Sequence, residues 1–413
     1  MKKRILFLSA LDFKEKSIQI IRKTPEAFVK NNWIVDYIVI RDNSKHGNYF
    51  YENTINIEGI RINRKLYSLA KIRNRISNSL LLAMFNKVAG YLASVRLAYL
   101  AIKLLKTEHF DVIYGYEIHG VLALGIIRLF GEGKKYKTIH RFQGTWISNY
   151  YKNRLYFKLI LNWDSILAMC LRCDLCIMTD DGTQGDFILN KLHSPKNINF
   201  RFWINGVDEQ KLSPIVTHNL RLKFQTLNKI VVLSICRLEA WKRVDRAINV
   251  ISLVINKYKV NNIKYIIVGE GSERERLQQL TKDLNLENYI FFVGGIQNVE
   301  VKNYLNIADF FISTYDLSNV GNPLLEAIRA NKIIFTLNNG DTSSWIQHRV
   351  NGFLYDISKN LIEFMAKDIY ELINNPELKE TIIKNIKITE NEKLWTWEER
   401  MNAEVSEIEK LII

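Results

Sequence analysis

The sequence predicts an α/β protein built from two doubly wound, Rossmann-like domains, with one more helix in its last residues. At 413 residues the chain is longer than a single hydrophobic core usually organises. Short apolar, β-branched runs alternate with longer helical patterns along its length, which is typical of parallel sheets covered by helices. Apolar residues make up 47% and charged residues 24%, values of an ordinary globular protein, so disordered and fibrous classes are excluded.

Short apolar runs predict the strands of both halves. In the first half they lie at residues 4–9, 34–40, 112–114, 137–140, 175–178 and 200–204. Residues 53–62 are interpreted as a hairpin insert. In the second half the strand candidates lie at residues 230–235, 265–268, 289–293, 310–313 and 333–336. The two halves are expected to join near residues 205–214.

The last residues predict a helix that returns to the first domain. Trp397, Met401, Val405, Ile408 and Ile412 recur every three or four residues, which gives a helix one apolar stripe. Such an apolar stripe has to be buried against another part of the protein, and we expect the helix to pack on the N-terminal domain. The predicted divisions are therefore an N-terminal domain of residues 1–205, a C-terminal domain of residues 206–385, and a returning segment of residues 386–413.

Hydropathy and the N-terminus favour a cytoplasmic location. The longest stretch without a charged residue is twelve residues, 288–299, well short of the roughly 20 apolar residues that span a bilayer. We therefore expect no transmembrane helix. The basic residues Lys2, Lys3 and Arg4 precede only six apolar or small residues, which fit a first buried strand better than a signal peptide.

The positive charge is concentrated in one hundred residues. The chain has a net charge of +15, and residues 61–160 hold 18 Lys and Arg against 4 Asp and Glu. This segment includes the apolar, aromatic stretch 80–105. One interpretation is a basic amphipathic surface for an anionic membrane, and another is a set of core helices with solvated cations. Nucleic acid is not expected as a partner, because no nucleic-acid-binding motif accompanies the charge.

Three cysteines are spaced as C-x2-C-x2-C. Cys170, Cys173 and Cys176 could ligate a metal ion, but Cys176 belongs to a predicted buried strand and Cys170 to the helix before it. Buried structural thiols are the favoured interpretation. No Asp-x-Asp motif occurs in the chain, so we expect neither a metal nor another cofactor.

Polar motifs follow two strands of the second half. Arg237 and Lys242 come after the strand at 230–235, where two cations can neutralise a diphosphate. After the strand at 310–313, Asn322 suits a helix N-cap with Pro323 in the first helical position, and Gly321 permits close approach of a ligand. Glu326, one turn later, can accept hydrogen bonds from a ribose diol, although a carboxylate that only stabilises the helix dipole is also open.

Six motifs in this order resemble the donor-binding half of retaining glycosyltransferases of family 4, which have the GT-B fold. They are Arg237-Leu238 with Lys242, Val268-Gly269-Glu270-Gly271, Val293-Gly294, Ala308-Asp309, residues 321–327, and Asn351-Gly352-Phe353. The resemblance covers about residues 205–360. It makes residues 1–205 the acceptor-side domain and residues 206–385 the nucleotide-sugar domain.

The resemblance implies a role for individual residues. Arg237 and Lys242 would hold the donor diphosphate, Glu326 the ribose hydroxyls, and His140, placed at a strand end, would face the transferred sugar. With Arg237, Lys242 and Glu326, His140 is predicted to be catalytic. The remaining predicted donor-binding residues are Gly295 and Ile296 beside the base, and Asp316, Ser318, Asn319, Gly321, Asn322 and Leu324.

One departure concerns the donor sugar. The family usually has two glutamates separated by seven intervening residues, and Ser318 stands at the first position. A hydroxyl still forms hydrogen bonds but offers no carboxylate, and Asp316 is a candidate substitute.

The implied activity is metal-independent hexosyl transfer with retention. The donor is a nucleotide-diphosphate sugar, and the acceptor is a saccharide or lipid-linked saccharide in cell-surface polysaccharide synthesis. A nucleotide-sugar epimerase, a non-catalytic nucleotide-sugar-binding protein and a basic membrane scaffold are the alternatives.

Overall fold

The computed structural model describes residues 2–13, 19–41, 55–67, 72, 75–130, 136–193, 199–209 and 213–412. Residues 53–54 of the predicted hairpin lie outside this part. The chain divides into two compact units. The N-terminal unit comprises Met1–Asp180, Gln184–Asn205 and Trp397–Ile413, and the C-terminal unit comprises Asp181–Thr183 and Gly206–Thr396.

The N-terminal unit is built on a seven-stranded parallel sheet. Its strands are β1 (Arg4–Ser9), β2 (Ile34–Arg41), β3 (Ile60–Tyr67), β4 (Val112–Tyr116), β5 (Lys137–Phe142), β6 (Leu175–Thr179) and β7 (Phe200–Trp203), in the order β3-β2-β1-β4-β5-β6-β7. Its helices are α1 (Gln19–Lys30), α2 (Ser79–Leu105), α3 (Glu117–Phe130), α4 (Ile147–Lys152), α5 (Tyr156–Leu161), α6 (Trp163–Cys170) and α7 (Gly185–Leu192).

The C-terminal unit is built on a six-stranded parallel sheet. Its strands are β8 (Ile230–Ile235), β9 (Ile263–Val268), β10 (Ile290–Gly294), β11 (Phe310–Ser313), β12 (Ile333–Leu337) and β13 (Phe353–Tyr355), in the order β10-β9-β8-β11-β12-β13. Its helices are α8 (Pro214–Lys223), α9 (Val244–Asn256), α10 (Arg274–Asp283), α11 (Asn298–Ile307), α12 (Asn322–Arg329), α13 (Leu361–Ile373) and α14 (Pro376–Lys393).

Both sheets reverse their strand order at one point. In the N-terminal unit the reversal lies between β1 and β4, and in the C-terminal unit between β8 and β11. The residues of the central strands are nearly all buried because helices cover both faces, which explains the continuous apolar runs of the sequence, whereas the edge strands β3 and β7 have no residue classed as buried among those described. Ligands of such sheets bind at the carboxyl ends of the strands, where the order reverses.

The last helix, α15 (Trp397–Glu409), packs in the N-terminal unit as the fold prediction states. Trp397, Met401, Val405 and Ile408 are buried in the core that also contains Phe7 of β1. The returning segment begins at Trp397 and not at residue 386, because α14 still packs in the C-terminal core.

The structure corrects two strand assignments. Residues 60–67 form β3, which pairs with β2 in parallel, so the hairpin interpretation of residues 53–62 is wrong over its described part. Polar residues alternate along this edge strand, and the same alternation suits a hairpin. Strand β13 was not predicted, because a run of only three residues is too short to show a strand pattern.

Among the described residues, one helical segment is long and apolar enough to cross a membrane, judged by length and composition only. This segment is Leu81–Leu105 of α2, and about a third of it is buried. The sequence criterion of uncharged stretches finds no such segment, because single cations at Lys87, Arg96 and Lys103 interrupt it.

Candidate active site in the C-terminal unit

The predicted diphosphate-binding residues lie at the reversal point of the C-terminal sheet. Arg237 and Lys242 follow β8, and Tyr315 and Asp316 follow β11, the neighbouring strand. The two loops are joined by hydrogen bonds: the amide of Asp316 donates to the carbonyl of Trp241 at 2.9 Å. The chain therefore brings these side chains to one edge of one sheet.

Two glycines hold the loop after β8 in place. Gly269 has a φ of +144°, and a Cβ there would lie 1.8 Å from the carbonyl oxygen of Cys236. A Cβ on Gly271 would lie 2.2 Å from the carbonyl oxygen of Leu238. The Gly-Glu-Gly motif is thus required where the loops after β8 and β9 pack together, next to Arg237.

Lys242 is a half-buried cation that lies against two aromatic rings. It ends a short 3-10 turn, Ala240–Lys242, and its Nζ lies 4.0 Å from the ring centre of Trp241 and 3.6 Å from that of Tyr315. Burial is the main cause that lowers the pKa of Lys242 to about 8, and the like charge of Arg237 contributes. A bound anion would favour the charged form of this ammonium group.

The cations of this loop fall into two classes. Arg243 binds the carboxylate of Asp245, with both N–O distances at 3.1 Å, and Arg246 donates to Asp316 Oδ1 at 2.6 Å. Within the described chain, no carboxylate lies at ion-pair distance from Arg237 or Lys242. These two are consequently the cations of the loop that remain available to a ligand.

Asp316 is engaged by arginines. Besides Arg246, its carboxylate lies 3.6 Å from Arg243 Nη1. A carboxylate held by two guanidinium groups is a poor substitute for the glutamate that position 318 lacks.

Ser318 is packed into the protein rather than presented at a surface. Its Oγ donates to the carbonyl of Asp181 at 3.0 Å and accepts from the amide of Val320 at 3.2 Å. A Cβ on Gly182 would lie 2.2 Å from this oxygen, and a Cβ on Gly340 would lie 3.0 Å from it. The short serine therefore lets residues 181–183 pack against the loop after β11, and a glutamate has no room in this arrangement.

Glu326 is a buried carboxyl group on α12 with a weak hydrogen bond to Asn298. Its side chain is 9% exposed, and Asn298 Nδ2 lies 3.5 Å from its Oε1. Burial raises the pKa of Glu326 to about 7, while the hydrogen bond from Asn298 lowers it slightly. A carboxyl group in this state gains from hydroxyl donors, as the predicted ribose contact requires.

The start of α12 has an open backbone. Gly321 is the N-cap, with an extended φ of 179°, and Asn322 is the first helical residue, one position earlier than predicted. A Cβ on Gly321 would meet only Pro323, at 3.9 Å, so the chain itself does not require glycine here. Leu324 is buried. The first amides of a helix lack partners within the helix and favour anions.

Two further groups of predicted donor-binding residues have different surroundings. Asn319 is buried, and its side chain binds the backbone of Tyr315 and the side chain of Asn339, which fixes the loop. Gly295 is exposed and Ile296 half-buried, directly after β10. Both of these positions are accessible to a base.

His140 is more deeply placed than predicted. Strand β5 continues to Phe142, so His140 is not at the strand end, and it is only 2% exposed. It lies beside Cys173, and hydrogen bonding by Cys176 lowers the pKa of Cys173. Over the residues described, no group of three His, Cys, Asp or Glu side chains is placed to hold a metal ion.

Two of the six motifs are structural anchors. Asp309 Oδ2 accepts a hydrogen bond from the amide of Val231 at 2.9 Å, which joins β11 to β8. Asn351 Nδ2 donates to Trp345 O and to Thr389 Oγ1 at 2.9 and 2.8 Å. Neither side chain belongs to the candidate site.

Sequence reasoning missed two components of the site. The aromatic rings of Trp241 and Tyr315 could have been found from the sequence, because both residues lie within the motif loops. The segment Asp181–Thr183 could not, because it is far away in sequence and only the tertiary structure joins it to the C-terminal unit.

At the same edge of the N-terminal sheet, charged groups are bound by groups of the same unit. Arg141 of β5 is fully buried and donates hydrogen bonds to the carbonyl of Phe142 and to Thr179 Oγ1. Arg64 Nε lies 2.9 Å from Asp12 Oδ1, directly after β1. After β4 and β5, the main-chain amide of Gln143 donates to Glu117 Oε1 at 2.9 Å. The side-chain amide of Gln143 donates to the hydroxyl of Tyr116.

Helix α15 brings a buried ion pair to the N-terminal unit. Arg400 and Glu404 are at most 1% exposed, with 2.7 Å between Nη1 and Oε2. Tyr114 donates to Glu404 Oε1 at 2.6 Å, and Arg400 Nε donates to the carbonyl of Ile204 at 3.2 Å. The Arg400 guanidinium also lies 4.6 Å from the ring centre of Trp203.

Comparison with known proteins agrees with the fold. Two parallel-sheet units with reversing strand order define the GT-B fold, and the structure of the Anabaena protein Alr3699/HepE in complex with UDP matches with a TM-score of 0.67. That match has 16% identity and covers 99% of this chain and 100% of the other. Residues 220–389 match the family of glycosyl transferases group 1. The predicted resemblance to GT-B glycosyltransferases is confirmed.

Two curated relatives match part of the chain. A poly(ribitol-phosphate) alpha-N-acetylglucosaminyltransferase of Staphylococcus aureus is 31% identical over 163 residues, which are 39% of this chain and 31% of that protein. An alpha-monoglucosyldiacylglycerol synthase of Acholeplasma laidlawii is 27% identical over 128 residues, 31% of each chain. The match thus spans about a third of each relative's length.

Proposed function

We propose that this protein is a glycosyltransferase that moves a sugar from a nucleotide-diphosphate donor to a saccharide or lipid-linked acceptor. The observation that carries the proposal is the pair of cations, Arg237 and Lys242, at the reversal point of the sheet, with no described carboxylate at ion-pair distance from either. The family match of residues 220–389 and the names of the two relatives support transfer over the epimerase and non-catalytic alternatives.

The proposed chemistry places the cations on the leaving group. As the glycosidic bond to the diphosphate breaks, negative charge grows on the diphosphate oxygens. Lys242 and Arg237 stabilise that charge more in the transition state than in the ground state, which accelerates the reaction. The first amides of α12 contribute in the same sense, and Glu326 holds the ribose hydroxyls of the donor.

We further propose that transfer proceeds with retention and without a metal ion. The leaving phosphate then deprotonates the acceptor on the face that it leaves, so no enzyme nucleophile is assigned. The two cations take the charge-neutralising role that a metal ion has in other transferases. Activity in excess chelator should equal that without it, and loss that a divalent cation restores would contradict metal independence.

The acceptor is proposed to be part of cell-surface polysaccharide or glycolipid synthesis. By their names, one relative transfers N-acetylglucosamine to poly(ribitol-phosphate) and the other synthesises monoglucosyldiacylglycerol. Such acceptors are polymeric or membrane-bound, and the basic residues 61–160 fit a peripheral position on the inner face of the membrane.

Binding and turnover of nucleotide sugars test the proposed function. We expect one nucleotide diphosphate among UDP, GDP and ADP, and its sugars, to raise the melting temperature of the protein. The variant R237A/K242A should then lose at least ~2 kcal/mol of transition-state stabilisation, about thirty-fold in kcat/KM. The control is R276Q, since Arg276 already pairs with Glu273 at the surface. Unchanged turnover in the double variant would reject the role of the cations.

A further inference from the structure

Helix α2 of the N-terminal unit carries an exposed apolar stripe. Its members are 55% to 66% exposed and follow one another at intervals of three or four residues: Leu81, Met84, Val88, Leu92, Val95 and Tyr99. At 3.6 residues per turn they fall within about 80° of the helix circumference and extend over about 27 Å. An unbroken stripe of this length is more than the scattered apolar residues of an ordinary surface.

The opposite face of α2 is fixed in the core. Ala93, Leu97, Ala98 and Ala101 are at most 1% exposed and pack in the cluster that also holds strands β1 and β2. A Cβ on Gly90 would lie 2.5 Å from the ring of His119 on α3, so the two helices are in close contact. The helix cannot cross a bilayer without removing this face from the core, whereas it can lie along a bilayer surface as it stands.

A second apolar surface adjoins the stripe. Helix α5 has no buried residue, and Tyr156, Phe157 and Ile160 are 62% to 68% exposed. The next residues are joined to α2, because the ring of Trp163 stacks on that of Tyr91 at 5.1 Å. Lys87 Nζ also lies 2.6 Å from Asp164 Oδ1. The stripe and α5 together are called the apolar face below.

The two sequence segments that carry the apolar face contain only positive charges. Between Glu58 and Glu108 the sequence contains ten Lys and Arg and no acidic residue, and between Glu132 and Asp164 it contains seven and none. Arg96, Lys103 and Lys106 are exposed on α2 or directly after it. By helical position they lie within about 80° of the stripe's centre. Exposed aromatic rings with cations around them are typical of segments that lie in a membrane interface.

We propose that the apolar face docks the N-terminal unit on an anionic lipid bilayer, with α2 lying in the plane of the interface. The exposed stripe enters the boundary between head groups and acyl chains, while the cations beside it contact anionic head groups. Charge complementarity selects a lipid surface over a second protein, because a long apolar stripe with one sign of charge suits a continuous anionic surface. Docking deepens the membrane location in the proposed function, but the contact itself does not require sugar transfer.

Vesicle sedimentation tests the docking directly. We expect the protein to bind vesicles of equal parts phosphatidylglycerol and phosphatidylcholine, and to leave them in high salt. The variant V88Q/L92Q/V95Q should bind these vesicles roughly ten-fold more weakly, since three apolar groups no longer enter the interface. The matched control is I215Q/L222Q/V299Q, whose residues are 50% to 73% exposed on the C-terminal unit; it should bind as the unchanged protein does.

Further outcomes distinguish the occupants of the surface. Equal binding to pure phosphatidylcholine, or association that salt does not reverse and that only detergent releases, would overturn in-plane docking on anionic lipid. A concentration-dependent dimer that V88Q/L92Q/V95Q abolishes, without vesicle binding, would show a second copy on this face. Nucleotide binding is measured on the same samples, so failure of the donor site is separated from failure of docking.

Discussion

The two units share one strand order but differ at the point where that order reverses. In the N-terminal unit, Arg64 is paired with Asp12, and Glu117 is held by Gln143. In the C-terminal unit, Lys242 has two aromatic rings around its ammonium group and no described carboxylate at ion-pair distance, although the charge of Asp181 acts on it. The N-terminal edge, where ion pairs and hydrogen bonds hold the charges, is called the paired edge below, and the C-terminal edge is called the unpaired edge.

This difference shows which edge is built for a small anionic ligand. A charge that is bound by groups of its own unit has little left to offer a ligand, whereas a partly buried cation without a carboxylate partner gains when an anion binds. The net charge of the chain points the other way, since the excess of cations lies in the N-terminal unit. Net charge alone therefore does not locate the candidate active site.

The largest effect is expected when the buried ion pair of α15, Arg400 with Glu404, loses a partner. R400A leaves Glu404 buried without its cation, which should cost about 3–5 kcal/mol of the free energy of unfolding. Urea denaturation measures this loss, and hydrogen exchange should rise in β4 and β7 but not in the C-terminal sheet. The control is K410A, which removes an exposed ion pair with Glu407 and should change stability by less than about 1 kcal/mol. Equal losses of stability in the two variants would show that the buried charge of Glu404 does not depend on Arg400.

At the unpaired edge, removing a charge should increase stability. The pKa of Glu326 is about 7 in the folded protein, above the usual 4.5. The folded state therefore binds more protons than the unfolded state between these values, and the free energy of unfolding falls as pH rises through this window. E326Q should be on the order of 2 kcal/mol more stable than the native protein at pH 8, and equal to it at pH 4.

Thermal or urea unfolding of the ligand-free protein at both pH values measures this difference. E287Q, at an exposed carboxyl group of the same unit, should show no such pH dependence. E326Q should also bind the donor more weakly, since the amide offers one acceptor in place of two. A destabilised E326Q at pH 8 would indicate that Glu326 already has strong partners in the free protein.

The smallest effect is expected at Ser318. S318A removes hydrogen bonds to Asp181 and Val320, which should cost about 1 kcal/mol of stability. Donor affinity should change less than about two-fold, because the hydroxyl supports the loop and does not contact the sugar. Calorimetric titration with the donor nucleotide sugar measures the affinity. A ten-fold loss of affinity at unchanged stability would make Ser318 a sugar ligand and would contradict its structural role.

The sequence predicted the parts that depend on neighbouring residues. Apolar runs placed most strands, because parallel strands are buried on both faces, and the residues that follow strand ends pointed to Arg237 and Lys242. The edge strand β3 was taken for a hairpin, since one face of it is polar. The packing of Ser318 against Gly182 and Gly340 joins three distant parts of the chain, so no local pattern could indicate it.

Helix α15 has a consequence for biosynthesis. The N-terminal unit is incomplete until Trp397–Glu409 emerges from the ribosome, although its seven strands are synthesised before the whole C-terminal unit. A nascent chain therefore carries an open apolar surface on its first unit while its second unit is already able to fold. Premature termination after α14 would damage the unit at the other end of the polypeptide and leave the C-terminal unit largely intact.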